Sequence, residues 1–175
     1  MKQFITVIIT LASLVLLTLL FIFSGLFNPS ALSRHNKLTL WMINTAKDVS
    51  IERRDKNIEV PTLTDSMLIQ TGFQHYNEMC IVCHSAPGID ESETAKGLYP
   101  HPPQFYKHAD RMNVKETFWT IKYGLKMTGM PAYSPTHSDD KIWAMTAFIT
   151  QKLGKMTPQE YKTWMEKYKT SEEVE

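Results

Sequence analysis

One short motif constrains this chain more than any other feature: Cys80-Ile81-Val82-Cys83-His84. Two cysteines three positions apart, with a histidine directly after the second, form the pattern in which c-type haem is attached covalently. The spacing has a chemical reason, because two thiols about one helical turn apart can reach the two vinyl groups of one porphyrin. The adjacent imidazole is then placed to bind the iron from one side. The motif therefore predicts one covalent haem c, with His84 as the proximal ligand of its iron.

Both cysteines of the chain lie in this motif, which indicates a cofactor site and not a disulfide-linked scaffold. The 175 residues are enough for one domain with appendages. A buried porphyrin enlarges the small core that such a domain can build. The net charge of +1 gives no electrostatic reason to expect nucleic-acid binding.

The amino-terminal segment predicts a membrane anchor at residues 1–32. Residues 4–27 are almost entirely apolar, with threonine, serine and one glycine as the exceptions. This run is long enough for a bilayer core, which needs about 20 residues. A cleaved secretory signal is the alternative, but its apolar centre is shorter, roughly 7–15 residues, and it usually ends in a small-x-small cleavage site. No convincing site of that kind follows Phe27, so we expect the anchor to stay uncleaved.

The sidedness of the anchor follows from the haem motif and not from charge. Lys2 precedes the apolar run, but Arg34 and Lys37 follow it, so the positive-inside rule is close to neutral. Covalent attachment of c-type haem in bacteria takes place outside the cytoplasmic membrane. We therefore expect a single-pass protein of the inner (cytoplasmic) membrane with its haem domain on the periplasmic side.

Residues 33–62 are expected to form a connector that contains a stalk helix. A stripe of residues recurs there at helical spacing, namely Leu38, Trp41, Met42, Thr45 and Val49. We expect this helix to end before the charged run that begins at Arg53. The helix is expected to rest on the haem domain or on the membrane surface. The alternative is that Arg53 or Arg54 pairs with haem propionates or with a partner. Pro61 marks the boundary.

The haem domain is predicted at residues 63–156, with helices on both sides of the motif. The first helix is expected from Ser66 to Cys80, capped by Thr64 or Asp65. In it, Gly72 and Tyr76 lie one turn apart on the same side, where a glycine allows another helix to approach closely. The last helix of the domain is the expected partner.

Three further signals divide the rest of this domain. Asn113 and Glu116 resemble a capping box that begins a helix ending near Gly124. Ser138 is placed to cap the last helix. The acidic residues 90–93 are expected to form a solvated loop.

The segment Tyr99–Pro103 is too rich in proline for a helix or a central strand. We interpret it as a rigid wall of the haem crevice. The carbonyl of Pro103 is a candidate acceptor for the second N–H of the proximal imidazole, which fixes the tautomer of the ring.

A second informative stretch, residues 126–133, contains the sequence Gly-Met-Pro. A c-type haem that only carries electrons generally has a second axial ligand, and a thioether raises its reduction potential. Of the ten methionines, Met130 lies in the Gly-Met-Pro sequence and not on a helix face. The predicted haem-binding residues are therefore Cys80, Cys83, His84 and Met130. Of these, His84 and Met130 are predicted to bind the iron. Met127 is the local competitor; weaker candidates are His75, His101, His108 and His137.

The carboxyl-terminal residues 157–175 predict a short amphipathic helix and a tail. Thr157 is a cap, Pro158 occupies the first helical position, and Glu160 completes a capping box. The apolar stripe either packs back on the domain or docks on a partner; it contains Tyr161, Trp164, Met165 and Tyr168. The acidic end, residues 170–175, is expected to be frayed.

Together the two motifs carry a family resemblance. With Cys80-x-x-Cys83-His84 and the loop Lys126-Met127-Thr128-Gly129-Met130-Pro131-Ala132-Tyr133, the chain resembles membrane-anchored, mono-haem class I cytochromes c of Gram-negative bacteria. The loop is similar to the methionine loop of cytochrome subunits that feed haem–copper oxidases. At the position of Tyr133, phenylalanine is commoner than tyrosine in those subunits. The resemblance covers roughly residues 72–155 and, more loosely, 41–61. It implies an all-α class I cytochrome c fold, low-spin iron with histidine and methionine ligands, and electron transfer.

We therefore predict an electron carrier and not an enzyme: a membrane-tethered periplasmic cytochrome that passes single electrons between respiratory partners. Such partners are a respiratory dehydrogenase, a quinol-oxidising complex or a terminal oxidase. A haem subunit fixed in a larger membrane oxidoreductase complex is a variant of this interpretation. Two alternatives remain: a five-coordinate sensing or peroxidase-like haem, if Met130 does not bind, and a thiol redox pair or half a zinc site at Cys80 and Cys83.

Overall fold

The computed structural model describes residues 1–168, which form eight α-helices joined by loops and short 3₁₀ and π segments, with no β-strand among them. The predicted all-α fold is confirmed. The helices are α1 (Lys2–Phe23), α2 (Lys37–Asp55), α3 (Ser66–His75), α4 (Ile81–His84), α5 (Glu93–Gly97), α6 (Val114–Tyr123), α7 (Asp139–Ala147) and α8 (Pro158–Lys167). The chain divides into two compact units, residues 1–34 and 35–175.

The first unit consists mainly of the apolar helix α1, none of whose residues is buried. Its 22 residues have a mean hydropathy of 2.8 over the most apolar window, and at about 1.5 Å per residue the helix is about 33 Å long. By length and composition α1 is able to cross a membrane.

Helix α2 differs from the prediction in its end and in its buried face. It continues through Arg53 and Arg54 to Asp55, because charged residues such as arginine are good helix formers. The guanidinium of Arg54 donates to the carbonyl of Ser50 one turn earlier, at 2.9 Å. The buried positions are Ile51 and Asp55, and the helix packs against α6. The predicted apolar stripe, by contrast, is exposed; it contains Leu38, Trp41, Met42 and Val49.

The core of the second unit is organised by the crossing of α3 and α7. A β-carbon built at Gly72 would lie 1.9 Å from the carbonyl oxygen of Ala144 and 2.9 Å from the β-carbon of Phe148. No side chain fits there, so the close approach depends on glycine. The helix pairing that Gly72 and Tyr76 predicted is confirmed.

Helix α8 packs back on this crossing through an aromatic cluster centred on Phe73. The ring of Phe73 meets four other rings edge to face, with centroids 5.3–6.0 Å apart; they belong to Phe148, Tyr161, Trp164 and Tyr168. Tyr161 is completely buried. Of the two roles considered for this stripe, packing on the domain is the one observed, and the predicted frayed end at 170–175 lies outside the described residues.

Most of the predicted helix ends are confirmed by side-chain hydrogen bonds. Asp65 caps α3, Asn113 caps α6 and Thr157 caps α8. Gly124 ends α6 with a φ of 66°, a conformation that favours glycine. Ser138 occupies the cap position of α7, but its hydroxyl makes no capping hydrogen bond.

Candidate haem site

The two cysteines and the histidine follow a turn of π-helix. The prediction of a regular helix from Ser66 to Cys80 is wrong in its last turn, since α3 ends at His75 and Tyr76–Cys80 are π-helical before α4 begins. Such turns hold an extra residue and change the direction of the side chains that follow. Tyr76 is completely buried, and its hydroxyl donates a 2.6 Å hydrogen bond to the carbonyl of Ser85. We interpret the π-turn as accommodating this bond, which ties the start of the motif to its end.

The two thiols differ in burial. Cys80 is buried and Cys83 is half-buried. Burial and the neighbouring Cys83 raise the pKa of the Cys80 thiol to about 12, although a hydrogen bond from the hydroxyl of Tyr133 opposes the shift. Reactive thiol pairs have lowered pKa values, so Cys80 lacks the electrostatics of a redox-active cysteine.

His84, the predicted proximal ligand, is only 7% exposed. Its Nδ1 lies 2.8 Å from the carbonyl oxygen of Pro103, which is the hydrogen bond suggested by the sequence. A carbonyl only accepts, so Nδ1 carries the proton in this contact and Nε2 keeps its lone pair. Burial lowers the pKa of His84, with the hydrogen bond to Pro103 opposing the change. The ring is therefore held in the neutral form that binds metals.

An aromatic ring also fixes the plane of this imidazole. Phe105 stacks on His84, with centroids 4.0 Å apart and an angle of 16° between the planes. Phe105 begins a 3₁₀ turn, Phe105–Lys107, one residue after the proline-rich segment. As predicted, that segment is neither helix nor strand. Sequence reasoning missed Phe105, and the only signal was an aromatic residue next to the prolines.

The acidic loop is less solvated than predicted. Glu93 begins α5, and Glu91 is three-quarters covered, with its Oε1 2.8 Å from Nε2 of His101. The expectation of a loop is therefore wrong for Glu93, which is helical but exposed, and the expectation of solvation is wrong for Glu91. The reason is a partner far along the chain, which the local composition does not reveal.

The methionine loop is closed by its own hydrogen bonds. The amide of Leu125 donates to the carbonyl of Met130 at 3.2 Å, and the hydroxyl of Thr128 joins the same two residues, donating to Leu125 and accepting from Met130. Met130 is half-buried and packs against the hydrophobic core. Met127 is 97% exposed and has a φ of 59°.

Tyr133 links this loop to the cysteine motif. Its hydroxyl hydrogen-bonds to the sulfur of Cys80, and its amide donates to the carbonyl of Ile121 at 3.2 Å. Burial, with the nearby cysteines, raises the pKa of Tyr133 to about 12. Through these contacts the loop carrying Met130, helix α6 and the motif form one structure.

The competing histidines have other contacts. His75 and His137 meet edge to face at 5.4 Å, His101 pairs with Glu91, and His108 is exposed. In residues 1–168 no three side chains of the His, Cys, Asp or Glu type are grouped to hold a metal ion. The donor set around the motif is a neutral imidazole, two thiols and a half-buried thioether, which fits haem c.

Comparison with known proteins agrees with this chemistry. Residues 68–149, slightly less than half of the chain, match the family model described as cytochrome C oxidase, cbb3-type, subunit III. The matched segment contains both the cysteine motif and the methionine loop. No curated protein matches the chain. Residues 68–149 are therefore similar to a c-type cytochrome domain, which implies covalently attached haem c and supports a role in electron transfer.

Proposed function

We propose that this protein is a membrane-tethered periplasmic cytochrome that carries single electrons between respiratory partners. Its haem is attached through Cys80 and Cys83, with the iron held between Nε2 of His84 and the thioether sulfur of Met130. One observation carries the proposal: the buried imidazole of His84 uses Nδ1 for the hydrogen bond to Pro103, at 2.8 Å, and so keeps Nε2 for the iron.

Burial favours Met130 over Met127 as the second ligand. A sulfur that binds the iron of an enclosed porphyrin must lie within the protein, and Met130 packs on the core whereas Met127 is almost fully exposed. The hydrogen bonds of Thr128 hold the loop in a shape that presents Met130 to the core. A methionine at a random position is usually core filler, but Met130 lies within a Gly-Met-Pro turn beyond a haem motif.

Two strong axial ligands favour a carrier over an enzyme. When bound, haem supplies the one-electron ferrous–ferric chemistry. With both His84 and Met130 bound to the iron, as proposed, no ligand position would remain for a peroxide or a diatomic gas. The thioether raises the potential, which suits a late position in an electron-transfer chain.

The tether gives the carrier its location. Helix α1 is apolar and long enough to span a bilayer, and covalent haem attachment in bacteria takes place on the outer side of the cytoplasmic membrane. A tether replaces free diffusion by a high local concentration near membrane partners such as a dehydrogenase, a quinol-oxidising complex or a terminal oxidase.

A fixed subunit of a larger oxidoreductase complex is the second candidate. The matching family model favours it, because that model describes a subunit of an oxidase. Purification of the full-length protein in mild detergent distinguishes the two: a carrier elutes alone, whereas a subunit elutes with stoichiometric partner chains.

The haem assignment is tested on the same preparation. We expect haem staining to survive denaturing electrophoresis, because only covalently attached haem stays with the chain. The reduced protein is expected not to react rapidly with carbon monoxide. A colourless protein, or a rapid carbon monoxide complex, would contradict the proposed ligation.

A further inference from the structure

We infer that Glu91 is a positioning residue of the haem site, because its carboxylate binds the side chains of residues before and after Pro103, whose carbonyl accepts the hydrogen bond of His84. The inference rests on the proposed function in one respect, namely that His84 binds the iron.

Glu91 contacts residues on both sides of Pro103 in the sequence. Its Oε1 accepts from Nε2 of His101 at 2.8 Å and from Nε2 of Gln104 at 3.3 Å. His101 stands two residues before Pro103 and Gln104 one residue after it. The hydroxyl of Tyr106 donates to Oε1 of Gln104 at 3.2 Å, which orients the amide so that its nitrogen faces Glu91.

The segment needs such a support from side chains. Prolines at positions 100, 102 and 103 have no N–H to donate, and the segment belongs to no helix or strand. Glu91 lies in the loop after the cysteine motif, so its two hydrogen bonds join that loop to the proline segment that contacts His84. The carboxylate is three-quarters covered, although His101 is half exposed, so water screens these bonds less than those of a fully exposed pair.

Through Pro103, Glu91 acts on the iron ligand. A well-aligned carbonyl on Nδ1 makes Nε2 a stronger donor, and a stronger donor stabilises ferric iron and lowers the reduction potential. Loss of the carboxylate allows the proline segment to move, weakens the hydrogen bond and raises the potential. The negative charge of Glu91 also lowers the reduction potential, because it stabilises ferric iron. The effect of the hydrogen bonds therefore has to be separated from the effect of the charge.

Two substitutions separate them. Glu91→Gln removes the charge but keeps an oxygen that accepts from His101 or Gln104, whereas Glu91→Ala removes both. The readouts on full-length holoprotein are the reduction potential and, by NMR of the reduced state, the solvent exchange rate of the Nδ1 proton of His84. We expect Glu91→Ala to accelerate exchange about tenfold, the scale of one hydrogen bond, and to raise the potential more than Glu91→Gln does. Exchange in Glu91→Gln is expected within about twofold of the wild type, because the acceptor is kept.

The neighbouring exposed carboxylate supplies the control. Asp90→Ala removes a charge beside Glu91 and is expected to leave the exchange rate unchanged. If Glu91→Ala does not assemble with haem, Gln104→Ala is measured instead, because it removes one of the two contacts of Glu91. We expect it to accelerate exchange of the Nδ1 proton of His84, but by less than tenfold.

The inference and the proposed function fail on different measurements. Equal potentials in Glu91→Ala and Glu91→Gln, with unchanged exchange of the Nδ1 proton, would mean that Glu91 acts by charge alone and would overturn the inference. If the ring protons of His84 in the reduced wild type lack the large upfield shift of an axial imidazole, the proposed ligation fails, and that is a different failure.

Discussion

The hydroxyl of Tyr76 donates a 2.6 Å hydrogen bond to the carbonyl of Ser85, nine residues later in the chain. Both residues are fully buried, so the bond is shielded from water and spans the whole cysteine motif. Removing the donor leaves a buried carbonyl without this partner. We expect Tyr76→Phe to lower the free energy of unfolding of the holoprotein by about 1–3 kcal/mol, measured by denaturant titration.

The matched control for this change is Tyr161→Phe. The hydroxyl of Tyr161 donates to Asn77 over a longer distance, 3.3 Å, and at a partly buried site. We expect Tyr161→Phe to lower the free energy of unfolding by less than Tyr76→Phe does. Equal losses in the two variants would show that the bond across the motif has no special weight.

Gly72 sets the distance between α3 and α7. A methyl group at Gly72 would collide with the backbone carbonyl of Ala144 at 1.9 Å, and backbone gives way less easily than a side chain. We expect Gly72→Ala to destabilise the holoprotein by about 3 kcal/mol, at the upper end for overpacking. Gly97→Ala is the control, because a β-carbon at Gly97 meets nothing within 4 Å. A loss at Gly97 as large as that at Gly72 would contradict the steric explanation.

The two methionines of the loop are expected to behave differently. Met130→Ala should lower the reduction potential and allow the reduced protein to bind carbon monoxide, because the iron loses its thioether. Met127→Ala should do neither, since Met127 is exposed. Carbon monoxide difference spectra and a potentiometric titration measure both effects. The reverse pattern would move the ligand to Met127.

The stability of the protein is expected to fall below about pH 6.5 in part because of His75. Burial lowers the pKa of His75 from its ordinary value of 6.5, with His137 and Lys141 acting in the same direction and Glu78 against it. Below pH 6.5 the unfolded chain therefore binds more protons at this site than the folded chain does, so stability decreases as the pH falls toward the lower, folded-state pKa. Above pH 6.5 the site contributes no pH dependence.

Replacement of this histidine tests the assignment. His75→Gln should flatten the pH dependence of the unfolding free energy between pH 6.5 and the acidic side, measured by denaturant titration at several pH values. His108→Gln changes an exposed histidine and serves as the control. An unaltered slope in His75→Gln would assign the acid sensitivity to other groups.

Much of the site could be predicted from the sequence because its chemistry is local. A thiol pair and an imidazole within five consecutive residues identify the cofactor without any knowledge of the fold. The helix caps at Asp65, Asn113 and Thr157 were also predictable, since each side chain bonds to an amide two or three residues later. The Gly-Met-Pro loop selects Met130 by the same kind of local pattern, and that ligand stays a prediction.

Contacts between distant residues were decided by the tertiary structure. Helical spacing predicted a stripe on α2, but the buried residues are Ile51 and Asp55, and local spacing does not reveal which side of a helix that packs on α6 is covered. The solvation of Glu91 was misjudged, since its partners His101 and Gln104 follow ten or more residues later. The π-turn before Cys80 likewise escaped prediction.

The sequence by itself determined that this chain binds one haem c, where the thiols stand and which residues cap α3, α6 and α8, because each of these depends on neighbours along the chain. Only the tertiary structure decided whether the candidate acceptor Pro103 reaches Nδ1 of His84, and it added the stacked ring of Phe105, which the sequence did not indicate. The physical reason is that a buried polar atom takes its hydrogen-bond partner from whichever backbone the fold brings within about 3 Å.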